Sequence, residues 1–94
     1  MIAGNMLAPE NIQRLYEARG YLYAAKLGKL EARVAKYSKQ GPWTIDFAMD
    51  KLLEEFAELE HAIDFNYSLE EKIKEIADIS NCCDILTAIL FDSK

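Results

Sequence analysis

The sequence predicts an all-α protein, an antiparallel helical bundle whose core is completed by oligomerisation. Three observations carry that prediction. Apolar residues recur at three-, four- and seven-residue steps along most of the chain, the spacing of one helix face. The apolar–polar alternation of a half-buried strand is nowhere sustained. At 94 residues the chain is one domain, with no Gly/Ser/Pro-rich linker dividing it. A chain this short buries only about 60–65% of its unfolded surface. Its own core is therefore marginal, and self-association is the natural remedy.

Residues 1–8 read as a loose tail. Pro9 suits the first turn of a helix and Glu10 favours its N-terminal dipole, so a first helix is expected over 9–38. Its stripe is Ile12, Tyr16, Tyr23, Leu27, Leu30, Val34 and Tyr37. Gly20 and Gly28 fall off the stripe centre, where they weaken the helix by about 1 kcal/mol each or mark a close contact or bend. Gly41-Pro42 stops this helix, and Thr44 is a suitable N-cap for a second over 45–64. The apolar stripe there is Ile45, Met49, Leu52, Phe56, Leu59 and Ile63. Phe65-Asn66-Tyr67 makes a short turn. Ser68, with Glu71 three residues later, opens a third helix over 69–91 by the capping-box pattern. The tight second connection makes the last two helices an antiparallel hairpin.

Composition excludes several classes of function. Length rules out multi-domain enzymes, doubly wound folds and barrels. A net charge of −5 disfavours a nucleic-acid-binding surface and raises the chance of a cation site. No 18-residue uncharged apolar run is present, so no membrane span is expected, and the N-terminus lacks the basic-then-apolar pattern of a secretory leader. Cys82 and Cys83 are adjacent, with no spaced Cys/His set for zinc. They read as reduced thiols, consistent with a cytoplasmic location.

The acidic residues are patterned. Glu54, Glu55 and Glu58 span roughly 100° of one side of the second helix. That side lies nearly opposite the Phe56/Ile63 stripe, and taken alone it is an ordinary solvated face. The third helix changes the balance. With Glu75 at zero on the helical wheel, Ile79, Leu86, Cys82 and Ile89 fall within about 40° of it and Asp78 near −60°. Glu75 and Asp78 thus continue an apolar stripe, where uncompensated carboxylates are costly and need a partner or a metal. Lys72 and Lys74 point elsewhere, at about +60° and −100°. As many as five carboxylates from the two helices can share one pocket. Such a set suits Mg²⁺, a hard ion that takes oxygen ligands and keeps room for waters or substrate phosphates. Mutual repulsion poises the metal-free pocket for a cation and raises a carboxyl pKa toward that of a general base.

Glu54-Glu55-x-x-Glu58, then sixteen residues, then Glu75-x-x-Asp78, resembles the signature of the all-α NTP pyrophosphatases. This MazG-like superfamily also includes the dimeric dUTPases and the dCTP pyrophosphatases. The match covers the second and third helices, about half of the chain. The resemblance implies Mg²⁺-dependent hydrolysis of a nucleoside triphosphate to the monophosphate and diphosphate, with Mn²⁺ as a substitute ion, in a homo-oligomer (dimer or tetramer). It places Glu55, Glu58, Glu75 and Asp78 on the metal-holding positions. Either Glu54 or Glu55 would orient or deprotonate the water that attacks the α-phosphorus.

Other residues carry two readings each. Arg19, Lys26 and Arg33 recur every seven residues beside the first helix's stripe. They suit phosphate contacts, or snorkelling and salt bridges to acidic helices. Asn81 suits a hydrogen bond to a motif carboxylate or to substrate, and equally a polar helix surface. Trp43 suits stacking on a base, or a packing anchor beside the Gly-Pro break. Glu58 and His61 have the Glu-x-x-His spacing of di-iron carboxylate bundles. The third helix carries no second His, so that reading leaves Glu54, Glu55 and Asp78 as surplus. A non-catalytic helical interaction module is the remaining alternative.

Overall fold

The computed structural model describes residues 8–92. The expected tail lies outside them except for Ala8, whose carbonyl accepts from the Asn11 N–H in a single 3₁₀ turn over Pro9–Asn11. Four helices follow: α1 Ile12–Leu27, α2 Leu30–Ser38, α3 Ile45–Asp64 and α4 Leu69–Asp92. Among the described residues no strand is present, and no helix is long and apolar enough to cross a membrane.

The single helix expected over 9–38 is two helices. The chain is interrupted at Gly28-Lys29, where the Lys29 N–H turns back to the Lys26 carbonyl at 3.2 Å. The Asn81 amide of α4 also donates to that carbonyl, at 3.1 Å. A helix end whose carbonyl is satisfied from another element has no need to continue.

The other boundaries follow local capping chemistry. Thr44 Oγ1 accepts from the Phe47 N–H at 3.1 Å and opens α3. Ser68 Oγ accepts from the Glu71 N–H at 3.2 Å and opens α4. Between them α3 ends in a Schellman arrangement. Asn66 takes a left-handed φ of 51°, Tyr67 N–H reaches Ala62 O at 2.9 Å and Asn66 N–H reaches Ile63 O at 3.1 Å. Asn tolerates that conformation because its short polar side chain lowers the penalty.

α3 and α4 pack as an antiparallel hairpin, and α1 lies against α4. The face that α3 buries is only in part the expected one: Leu52 and Leu59 of the expected stripe are partly buried, and Ile45, Met49, Phe56 and Ile63 are exposed. Ala48, Glu55 and Ala62, at seven-residue steps, are buried, while Met49, Phe56 and Ile63, one residue further on, are exposed. Small side chains let two helices approach closely, so the alanine row forms the contact and the bulkier row is turned out. α4 places Ala77, Asp78, Asn81 and Cys82 inside, with Glu75, Ile79, Leu86 and Ile89 partly buried. α1 likewise turns Leu22, Ala25 and Lys26 inward and leaves Tyr16, Tyr23 and Leu27 more than half exposed. Cys82 and Cys83 are both free thiols, one buried and one exposed.

Candidate metal centre

The hairpin brings carboxylates together in its interior. Glu55 and Glu58 sit one turn apart on α3, and Glu75 and Asp78 one turn apart on the facing stretch of α4. Each of the four offers an oxygen within 4.8 Å of the others'. Glu55 and Asp78 are buried, Glu75 is partly buried and Glu58 is the most open. Oxygen ligands on opposite sides of Mg²⁺ stand about 4.2 Å apart, so closing on such an ion needs only small side-chain movements.

Glu54 lies outside the group. It is exposed and pairs with Lys51 at 3.1 Å, as the relief of its repulsion requires. His61 is also outside, stacked on Phe65 with ring centroids 4.3 Å apart and edge-on to Tyr67 at 5.5 Å.

α2 supplies the cations. Arg33 Nη1 donates to Glu55 Oε1 at 2.6 Å, and its Nη2 reaches Asp78 Oδ1 at 2.8 Å. Lys29 Nζ spans both oxygens of Asp78 at 3.2 and 3.4 Å. The Tyr37 hydroxyl donates to Glu55 Oε1 at 2.8 Å and accepts from Arg33 Nη1 at the same distance. Two of the four carboxylates are thereby neutralised. Among the described residues no Lys or Arg is paired with Glu58 or Glu75. The buried oxygens Oε2 of Glu55 and Oε2 of Glu75 meet no donor. Orphaned buried acceptors are uncommon in native proteins and are satisfied by water or an ion.

The electrostatics follow this division. Burial alone would raise the Glu55 pKa, but the hydrogen bonds from Tyr37 and Arg33 and the guanidinium charge hold it below its ordinary value. Glu58 is pushed up to about 7, first by desolvation and then by sharing a hydrogen bond with Glu55 beside its charge and that of Glu75. Glu75 is raised by desolvation and the nearby Asp78 charge. Burial and its bond to Glu55 raise the Tyr37 hydroxyl, which therefore stays protonated as a donor.

Lys26, Arg33, Asn81 and Trp43 are engaged within the chain, and Arg19 is exposed. Lys26 pairs with Asp84 at 2.6 Å. Arg33 carries the ion pairs above. Asn81, fully buried, gives its amide to Lys26 O and leaves its Oδ1 without a partner. Trp43 packs edge-on against Tyr37 and Phe47, and its Nε1 donates to Ser38 Oγ at 3.0 Å, the arrangement of a packing anchor. Sequence reasoning missed Lys29 and Tyr37. Their signal is the four-residue step Lys29, Arg33, Tyr37, which lines one face of α2 with polar tips.

No protein-family model matches this sequence, and neither a curated protein nor a solved structure does.

Proposed function

We propose that the protein is a divalent-cation-dependent nucleoside triphosphate pyrophosphohydrolase that converts a (d)NTP and water to the (d)NMP and diphosphate. The observation that supports it most is the meeting of Glu55, Glu58, Glu75 and Asp78 in one pocket, with buried oxygens that lack donors. Those four are the positions that the resemblance to the MazG-like pyrophosphatases assigns to the metal. Carboxylate oxygens are the donor set that Mg²⁺ and Mn²⁺ take. The bound ion would neutralise the triphosphate and lower the pKa of an attacking water.

The chain's own residues divide the remaining work. In the metal-free chain Arg33 and Tyr37 hold Glu55 through Oε1, and Oε2 is left to accept a proton or to ligate. Glu54 faces solvent, so Glu55 is the better placed of the two to orient the water. A homo-oligomer belongs to the same proposal. Met49, Phe56 and Ile63 form an exposed apolar row on α3, and Tyr16, Tyr23 and Leu27 are exposed on α1. Burying such rows against a second copy is the remedy for a small core.

A second reading is a non-catalytic helical module, favoured by the ion pairs of Arg33 and Lys29, which make part of the cluster a structural network. One assay separates the two. The purified chain is incubated with a panel of NTPs and dNTPs and Mg²⁺, and diphosphate release is measured. The proposal expects release that Glu58→Gln and Asp78→Asn abolish. No release from any nucleotide overturns it in favour of the module.

A further inference from the structure

α2 is joined to the hairpin by its polar tips. Lys29 precedes the helix and Arg33 and Tyr37 lie within it, and each of the three side chains ends on Glu55 or Asp78. Beyond the buried Tyr37 ring, its apolar residues offer little anchorage: Leu30 is only partly buried and Val34 is exposed. A backbone joint stands at either end. One is the Gly28-Lys29 interruption. The other is the segment 39–44, where Gly41 has a φ of 153°. The cations of Lys29 and Arg33 take both oxygens of Asp78 and leave Oε2 of Glu55 open.

We infer that α2 is a counter-ion arm: Arg33 and Lys29 neutralise Glu55 and Asp78 in the metal-free chain, and a divalent cation entering the cluster displaces them and releases α2. The inference rests on the metal reading given above. Its physical basis is charge and occupancy. Arg33 and Lys29 together carry two positive charges, and so does the incoming ion, so the exchange leaves the net charge of the buried cluster unchanged. Competition for lone pairs falls on Asp78, whose Oδ1 takes both Arg33 and Lys29 and whose Oδ2 also takes Lys29, so this carboxylate can ligate an ion only as those cations leave. Arg33 is thus a positioning residue: it keeps the carboxylates gathered in the absence of metal.

Trp43 is the single tryptophan of the chain and reports on the arm, because it is bonded to Ser38 and packed on Tyr37 of α2. The full chain is titrated with Mg²⁺, and separately with Mn²⁺, in metal-free buffer. Binding is followed by calorimetry, Trp43 emission by fluorescence, and α2 by amide hydrogen exchange. The expected result is a saturable change in emission with loss of protection confined to residues 30–38. Arg33→Gln is expected to bind the ion about ten- to hundredfold more tightly, the span of one or two charge-assisted hydrogen bonds. Metal binding with α2 protection unchanged and no tightening in Arg33→Gln overturns the arm while leaving the metal site standing. No binding to either protein overturns the metal reading and the arm with it. If Arg33→Gln loses its helical circular dichroism, the exchange measurement on the unsubstituted chain and the affinity of Lys29→Gln decide.

Discussion

At the scale of single residues, Glu58 sets how the fold responds to pH. Folding moves its pKa from an ordinary 4.5 to about 7, so across that window the folded chain keeps a proton that the unfolded chain has released. Stability therefore falls as pH rises from 4.5 to 7, and Glu75, also raised, acts in the same direction. Glu55 acts in the opposite sense. Its pKa is lowered, so its contribution is present above its unfolded value and is lost as pH falls through the folded one. The metal-free protein is expected to melt highest in mildly acidic buffer, and Glu58→Gln to flatten the decline toward neutrality; thermal melts at a series of pH values check both. Asn81 makes a different point. Asn81→Ala removes one of two donors to Lys26 O, the Lys29 N–H remaining, and is expected to cost about 0.5–1.5 kcal/mol in urea unfolding, the net worth of one hydrogen bond. How readable these residues are from sequence depends on their neighbours. Asp78 and Glu75 stand out because apolar residues surround them on the wheel. Glu55 does not, since Glu54 and Glu58 beside it make a plausible wet face. Its burial follows from the alanines a turn or two away on α3 and from Arg33, which approaches from another helix.

At the scale of elements, caps are legible outright and the interruption only as one reading of Gly20 and Gly28, of which the structure breaks the helix at Gly28. Thr44 and Ser68 announce the starts of α3 and α4 because each acts on an amide three residues away. The end of α1 depends on an amide from residue 81, and no local pattern around Gly28 encodes that. The face buried by α3 was hidden for a similar reason. Two apolar rows one residue apart both satisfy helical spacing, and only the closeness of α4 selects the alanine row. The two glycines flanking α2 are expected to respond with opposite signs to alanine. Gly28 has an ordinary helical φ of −68°, and a Cβ there meets only Ala25 O at 3.9 Å. Gly28→Ala should stabilise the chain by about 0.4–1 kcal/mol through the unfolded state. Gly41 sits at φ 153°, a conformation that L side chains rarely adopt, so Gly41→Ala should destabilise by about 1–3 kcal/mol. Urea melts of the two variants side by side test the pair.

At the scale of the whole molecule, many of the large apolar side chains are exposed. Among the described residues the buried apolar side chains are Tyr37, Ala48, Ala62, Ala77 and Cys82, most of them small, whereas Phe56, Ile63 and Leu27 are more than half exposed. If a second copy covers the α3 row, the melting temperature rises with protein concentration. Phe56→Asp is then expected to yield monomers by sedimentation, with the concentration dependence gone. The hairpin also dictates an order of events. α3 and α4 are joined by a short turn, whereas the Asn81–Lys26 contact closes a separation of 55 residues. Loop-closure entropy favours the near pair first. Glu58 and Glu75, with which no Lys or Arg is paired among the described residues, are brought together as that near pair closes. Mild acid or a divalent cation is expected to quicken refolding, while Asn81→Ala alters mainly the rate of unfolding, a split that stopped-flow chevrons resolve.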